Sequence, residues 1–479
     1  MLKALAPQRL DKVYFLTAKT PGRKLALDAA RVITHSAPSM PLRGLEMIAR
    51  GKGCEHPDNA CHGESCPLAR GFYDRLPGAR AAASQVTLLD QAALREIALA
   101  HEVCPYYLSQ EMARWADVVV ADYNYYFDFS ALLFGLAQAN GWTVATLVDE
   151  AHNLVERGRQ MYSATLDQGT LTSVRKTAPE PLKKSLERVN RQWNALHTPQ
   201  VAAYQAYEKL PEKLLQALAS CSTAIGDYLN DHPQGLDSGL QAFYFDALQF
   251  GRVAETFDEH FLFDIHKREL GRQRSLSTLC LRNVVPAAFL RPRLTAARST
   301  VLFSATLGPR HYYADLLGTP GDTVWIDVES PFKAEQLDVH IVSRISTRFV
   351  HRQASLEPIV TLMARQFSER PGNYLAFFSS FDYLQQVAGL LAERYPHIAL
   401  WTQSRGMGEV PRQAFLERFM EHSQGIGFAV LGGAFGEGID LPGSRLIGAF
   451  IATLGLAQFN PVNEQMKQRM AAIFGDGYD

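Results

Sequence analysis

The chain has 479 residues, 47% hydrophobic and 20% charged, the texture of a globular protein with material for about three or four domains. Lys and Arg (48) balance Asp and Glu (49), and the net charge of −1 excludes a globally basic nucleic-acid-binding surface; strand binding would need a local basic groove. No apolar run reaches about 18 residues and Met1–Asp11 is mixed and polar, so we expect no membrane span, no secretory leader and a cytoplasmic protein.

The first expected element is a buried strand, Val13–Thr17, followed by a turn at Pro21-Gly22 and a helix opening with Arg23-Lys24. A segment rich in Cys, Gly, Pro and His runs from Gly51 to about Gly78, and a helix is expected over Leu88–His101. Asp117–Ala121 reads as a strand, Leu132–Asn140 as a helix, and Thr143–Val148 as a strand apolar enough to be covered on both faces. From Leu154 to Thr295 helix formers dominate, which predicts a mostly helical insertion. Strand-like text returns at Thr300–Phe303. Beyond Ser330-Pro331 a second strand–helix alternation is expected, with strands at Val339–Val342, Tyr374–Phe378, Ile398–Trp401, Gly427–Leu431 and Leu446–Ile451.

Two constellations carry chemistry. Asp149-Glu150-Ala151-His152 closes the Thr143–Val148 strand, and ligands of open α/β sheets bind off such strand ends. Adjacent carboxylates there suit nucleotide hydrolysis: one holds Mg²⁺ and the next orients the attacking water. An isolated Asp-Glu pair is more often a solvated strand end, so the preceding strand and the four-residue word carry the reading. The second constellation is Cys54-x6-Cys61-x4-Cys66-x37-Cys104. Four thiolates close a tetrahedral zinc site or hold a [4Fe–4S] cluster, and His56, His62 or His101 could replace a thiolate on zinc. Structural zinc favours two tight Cys pairs, whereas only one spacing here is short, which leans toward a cluster. Cys221 and Cys280 read as core residues.

These words resemble a known family. Asp149-Glu150-Ala151-His152 is similar to the Walker B motif of superfamily 2 helicases, Phe303-Ser304-Ala305-Thr306 to their Ser-Ala-Thr motif, and Tyr14–Thr20 to motif Ia. Gly432–Gly443 looks like the fifth motif of the XPD/DinG branch, and Phe378-Ser379-Ser380-Phe381 resembles motif IV. Cys104-Pro105-Tyr106-Tyr107 is similar to the last-cysteine motif of that branch, and its four-cysteine insertion falls at this place in the chain.

The resemblance implies an α/β fold of two RecA-like motor domains carrying an iron–sulfur domain and a helical arch. Motor domain 1 would comprise 1–48, 113–155 and 296–330, the iron–sulfur domain 49–112, the arch 156–295 and motor domain 2 331–479. It implies an ATP-dependent DNA helicase moving 5′ to 3′ on single-stranded or forked DNA in repair, with ATP as substrate and Mg²⁺ and a [4Fe–4S] cluster as cofactors. By motif, Asp149 would hold Mg²⁺ and Glu150 the water. His152, Ser304 and Thr306 would couple hydrolysis to movement, and Glu437 and Asp440 would link the motor domains. Lys19, Thr20, Tyr125 and Ser379 would touch the strand, and Cys54, Cys61, Cys66 and Cys104 would hold the cluster.

Two parts of the pattern are not found. No G-x-x-x-x-G-K-[ST] phosphate loop occurs, and no Gln-x-x-Gly-Arg word surrounds Arg469. We therefore expect a chain truncated at both ends relative to the family, poorly soluble and inactive by itself. A second reading is a catalytically inactive iron–sulfur module that binds single-stranded nucleic acid. A third, an iron–sulfur nuclease, lacks a compact acidic cluster with a Lys.

Overall fold

The structure, a computed structural model, describes residues 10–36, 42–59, 61–232, 236–270, 275–433, 435–436, 439–453 and 460–475. It divides into a unit of Met1–Trp325 with Phe459–Asp479 and a unit of Ile326–Gln458. The expected α/β architecture with two parallel sheets is borne out, one sheet in each unit. Among the described residues no helix is long and apolar enough to cross a membrane.

The first unit is built on β1 (Lys12–Leu16), β2 (Gly44–Glu46), β3 (Leu88–Leu89), β4 (Val118–Ala121) and β5 (Val144–Asp149). Their apolar text fits strands covered by helices on both faces, where alternation is lost. In the insertion lie β6 (Ala164–Asp167), β7 (Tyr204–Tyr207), β8 (Phe261–Glu269) and β9 (Ser275–Asn283), and the chain then returns to the parallel sheet as β10 (Ser299–Phe303). The parallel sheet has the order β10-β5-β1-β4-β2-β3. The register Phe303↔Asp149 puts the ends of β10 and β5 side by side, and Leu16↔Val148 brings the end of β1 to the same edge. Loops leaving these three strands therefore converge, although the sequence scatters them over nearly 300 residues.

Two expectations for this unit are corrected. The helix after β1 runs over Thr20–Ser36, so Pro21-Gly22 lies in its first turn rather than in a turn before it. Leu88–His101 is not one helix: Leu88 and Leu89 pair with Gly44 and Leu45 as β3, and the helix begins at Gln91. Asp90 caps it, accepting from the Ala93 N–H at 3.0 Å, so the carboxylate stops the helix where an apolar count would continue it. The insertion is mostly helical, as expected, and also carries a small sheet. Helices Glu180–His197, Glu212–Asp231 and Ser238–Glu255 pack on an antiparallel sheet of order β6-β9-β8-β7. Phe261, Phe263 and Ile265 of β8 and Leu279 and Leu281 of β9 alternate into one core with Trp193, whose indole N–H donates to Ser277 Oγ at 2.8 Å.

The second unit is built on β11 (Asn373–Phe378), β12 (Leu400–Thr402), β13 (Gly425–Val430) and β14 (Gly448–Ala452), all parallel, in the order β12-β13-β11-β14. β11 is central and buried throughout, packed under helices Arg352–Glu369 and Phe381–Arg394. Val339–Val342 forms no strand: Val339 and Ile341 are 66% and 88% exposed, and the alternation that suggests a strand has no ladder partner among the described residues. Helix Pro461–Phe474, placed with the second motor domain by sequence, packs with the first unit instead. Its Met470 is buried in that core, with Sδ 3.3 Å from Arg159.

Candidate functional site

Asp149 ends β5 and its carboxylate is held by another strand. Thr17, the fully buried residue that follows β1, donates from Oγ1 to Asp149 Oδ2 at 3.1 Å. Gly22 completes this nook: a Cβ there would lie 2.4 Å from Asp149 Oδ2 and 2.5 Å from Thr17 Oγ1, so no other residue fits without moving the carboxylate. Tyr123, fully buried after β4, sets its hydroxyl against the Asp149 carbonyl and 2.9 Å from the Glu150 carbonyl. Burial, and then the charges of Asp149 and Glu150, push the Tyr123 phenol far above its ordinary range, so it stays a proton donor to this peptide.

Glu150 has φ of +50°, a left-handed backbone that non-glycine residues rarely adopt and that clusters at functional sites. The turn aims the Glu150 side chain toward β10. Its Oε2 lies 3.4 Å from both Ser304 Oγ and His152 Nδ1, and His152 Nδ1 lies 2.7 Å from Ser304 Oγ. The Thr306 N–H donates to Ser304 Oγ at 3.2 Å, and the Ala151 N–H donates to the Phe303 carbonyl at 3.1 Å. Because a carboxylate only accepts, the consistent relay has His152 Nδ1–H donating to Ser304 and the Ser304 hydroxyl donating to Glu150. The Ser304 hydroxyl thus links the Glu150 carboxylate to His152 and to the Thr306 N–H across the ends of the adjacent strands β5 and β10. The arrangement can hold a divalent cation at Asp149 and orient a water at Glu150.

The structure thus brings Asp149, Glu150, His152, Ser304 and Thr306 together. Lys19, half-buried, lies on the turn after β1, and Thr20, exposed, opens helix Thr20–Ser36, where Arg23 donates to Thr20 Oγ1 at 3.0 Å. Tyr125 is half-buried, and its hydroxyl donates to the Ile48 carbonyl at 2.8 Å. Its ring therefore belongs partly to the packing of the first unit. In the second unit Ser379 follows β11 and accepts from Arg352 at 2.7 Å, while Ser380 caps the next helix by accepting from the Tyr383 N–H at 3.3 Å. Asp440 is half-buried in that unit, and Glu437 lies outside the described residues.

The four cysteines are free thiols. Burial raises the Cys104 thiol above its ordinary value, and the thiols of Cys54 and Cys61 are close enough to raise it further. Cys66 is buried in a turn with its N–H donating to the His62 carbonyl at 2.9 Å. Among the described residues no group of three or more His, Cys, Asp or Glu side chains is arranged to hold a metal ion. Of the four thiols, those of Cys54 and Cys61 lie near that of Cys104. Beside them runs an aromatic row: Phe72 meets Tyr73 and Tyr107 edge-on at 5.4 and 6.0 Å, and Tyr107 meets Tyr106 at 5.2 Å, with Tyr73 83% exposed.

Thr17, Gly22, Tyr123, Tyr73 and Arg352 were missed as site residues. Thr17 and Tyr123 follow strands that pair with β5 or its neighbour, and a hydroxyl in the turn after a buried strand is the one signal that could have found them.

Comparison with known proteins agrees with this geometry. Residues 43–171 match the DEAD_2 family and residues 363–478 the helicase C-terminal domain family. A regulator of telomere elongation helicase 1 homolog from Anopheles gambiae is 32% identical over 141 residues, covering 26% of this chain and 14% of that protein. A solved XPD helicase shares the fold at a TM-score of 0.58 and 16% identity, over 96% of this chain and 80% of that one. An apo XPD structure does so at 0.53 and 16%, over 96% and 79%. The chain thus carries the two family segments in order, the first spanning the carboxylate site, and is similar in fold to the solved XPD helicases. The match to the curated mosquito relative spans only 14% of that protein's length.

Proposed function

We propose that the chain is the motor of an ATP-dependent DNA helicase that moves 5′ to 3′ along single-stranded or forked DNA in repair, in the cytoplasm. The observation that carries this reading is the relay joining Glu150, Ser304 and His152 across the ends of β5 and β10. Asp149, pinned by Thr17, holds Mg²⁺, which when bound neutralises charge on the phosphates of ATP. Glu150 positions the attacking water and accepts its proton. Ser304 and His152 sense the state of Glu150 through their hydrogen bonds, and Thr306 ties that state to the loop after β10. Glu437 and Asp440 carry communication between the motor domains. Lys19, Thr20, Tyr125 and Ser379 contact the strand, by phosphate contacts from the hydroxyls and the ammonium and by the exposed part of the ring. Cys54, Cys61, Cys66 and Cys104 would hold a [4Fe–4S] cluster, whose role here is to pin the cysteine segment; anaerobic purification without bound iron would count against it.

The test is ATP hydrolysis with and without single-stranded DNA by a polypeptide that joins this chain to a G-x-x-x-x-G-K-[ST] phosphate-loop segment, since the chain by itself is expected to be inactive. Glu150→Gln is expected to lower strand-stimulated kcat by about 10²-fold or more with little change in KM for ATP, because the lost base acts only in the transition state. Equal turnover by the variant would overturn the reading. A second reading, strand binding without turnover, is favoured by the lack of a phosphate-loop word in these 479 residues. Tight strand binding with no ATP hydrolysis even when a phosphate-loop segment is joined to the chain would establish it.

A further inference from the structure

A cavity of about 400 Å³ opens in the first unit where the insertion rejoins the parallel sheet. It is lined by Arg291 from helix Ala287–Ala296, Arg310 from helix Arg310–Leu317, Trp325, His260, Asp315 and Phe474, among others. None of the carboxylate-site residues faces it. The two helices come close because Gly318 ends the second in a left-handed turn: a Cβ there would lie 2.8 Å from the Ala287 carbonyl. That close approach sets Arg291 and Arg310 on one cavity.

Both guanidinium groups lack a carboxylate partner among the described residues. Arg291 donates from Nε to the Gly318 carbonyl at 3.0 Å, which fixes its plane and leaves its terminal amino groups for a ligand. Arg310 stacks 5.5 Å over the ring of the half-buried Trp325. His260 is engaged by Asp258 at 3.1 Å, and Asp315 is the one carboxylate of the lining, so two arginine charges face one negative charge. Paired guanidinium forks suit a phosphate, and a tryptophan face suits a planar ring. The volume falls in the range of small-molecule sites, roughly 300–1,000 Å³.

We propose that this cavity binds a nucleotide unit, with the phosphate on Arg291 and Arg310 and the base against Trp325 and the apolar wall that includes Phe474. The unit comes either from a free nucleotide or from a member of a single strand, and the site is separate from the one that would hydrolyse ATP.

The test uses the full chain with thymidine 5′-monophosphate, thymidine and a 5′-phosphorylated oligothymidylate, read by equilibrium dialysis and by quenching of tryptophan fluorescence. The monophosphate is expected to bind saturably with one equivalent, at least about tenfold more tightly than thymidine. The double variant Arg291→Gln, Arg310→Gln is expected to lose about tenfold or more. Should that variant melt early, the pair Arg291→Lys, Arg310→Lys keeps the charge but not the fork, and should still weaken binding several-fold. Trp325→Leu is expected to remove most of the quench. Displacement of the monophosphate by the oligonucleotide assigns the site to a strand, and failure to displace it assigns it to a free nucleotide. No saturable binding of the monophosphate, or binding unchanged in both arginine pairs, overturns the proposal. Neither result bears on Glu150→Gln, so the motor reading and this one fail separately.

Discussion

At the scale of single residues, the carboxylate site depends on neighbours that never touch substrate. Asp149 is aimed by one hydroxyl, Thr17, and by the empty space at Gly22. We expect Gly22→Ala to displace the Asp149 carboxylate and lower strand-stimulated ATP hydrolysis by about tenfold or more, with a melting temperature near that of the unaltered chain. The measurement is the Mg²⁺ dependence of turnover, which should shift to higher concentration; an unchanged Mg²⁺ profile would show that the nook does not aim the carboxylate. The Asp149-Glu150-Ala151-His152 word was legible because four adjacent residues carry it. Thr17 and Tyr123 were not, because they reach Asp149 across 132 and 26 residues of chain, and only strand order makes them neighbours. Ser380 shows the same limit in reverse. Its hydroxyl is a helix cap, and a hydroxyl pair after a strand reads alike for a cap and for a phosphate contact.

At the scale of elements, β1 begins with a charge that sequence reasoning would place in solvent. Lys12 is 6% exposed, and its ammonium donates to the carbonyls of Ala113, Arg114 and Ala116 at 3.3, 2.8 and 2.6 Å. It also lies 4.4 Å from the Trp142 ring. These carbonyls follow the end of helix Pro105–Met112, where a cation is favoured by the helix dipole. Lys12→Met leaves them buried without a donor, and we expect a loss of about 2–3 kcal/mol in urea unfolding. A loss below about 0.5 kcal/mol would mean that water replaces the ammonium. The parallel strands were legible because buried strands are continuous apolar runs. The insertion's sheet was not, since β8 passes into Lys267-Arg268-Glu269 and its Phe261, Phe263, Ile265 alternation is short beside the long helices around it. Leu88–Leu89 was lost to the helix that follows because two residues hold too little period to count.

At the scale of the whole molecule, the first unit presents an open flank. Among the described residues β10 is the edge of its sheet, pairing with β5 alone, and Val301 and Phe303 on it are 50% and 37% exposed. Unpaired N–H and C=O groups beside exposed apolar side chains make a template for another strand. We expect the chain to self-associate as its concentration rises, and Val301→Lys to shift that onset upward by light scattering, with the relay at Glu150 untouched. An onset unchanged by the lysine would place the association elsewhere. The fold class was legible from the alternation of strands and helices, and the family from the order of its words. The affiliation of helix Pro461–Phe474 was not, because nothing in an amphipathic stretch says which sheet it will cover.

The left-handed turn at Glu150 sets folding and chemistry against each other at one position. An L-residue held there forgoes on the order of 1 kcal/mol that glycine would recover. Drift toward glycine would therefore be rewarded by a sturdier polypeptide and punished by a silent motor. Glu150→Gly would trade the carboxylate of this bend for a more relaxed backbone.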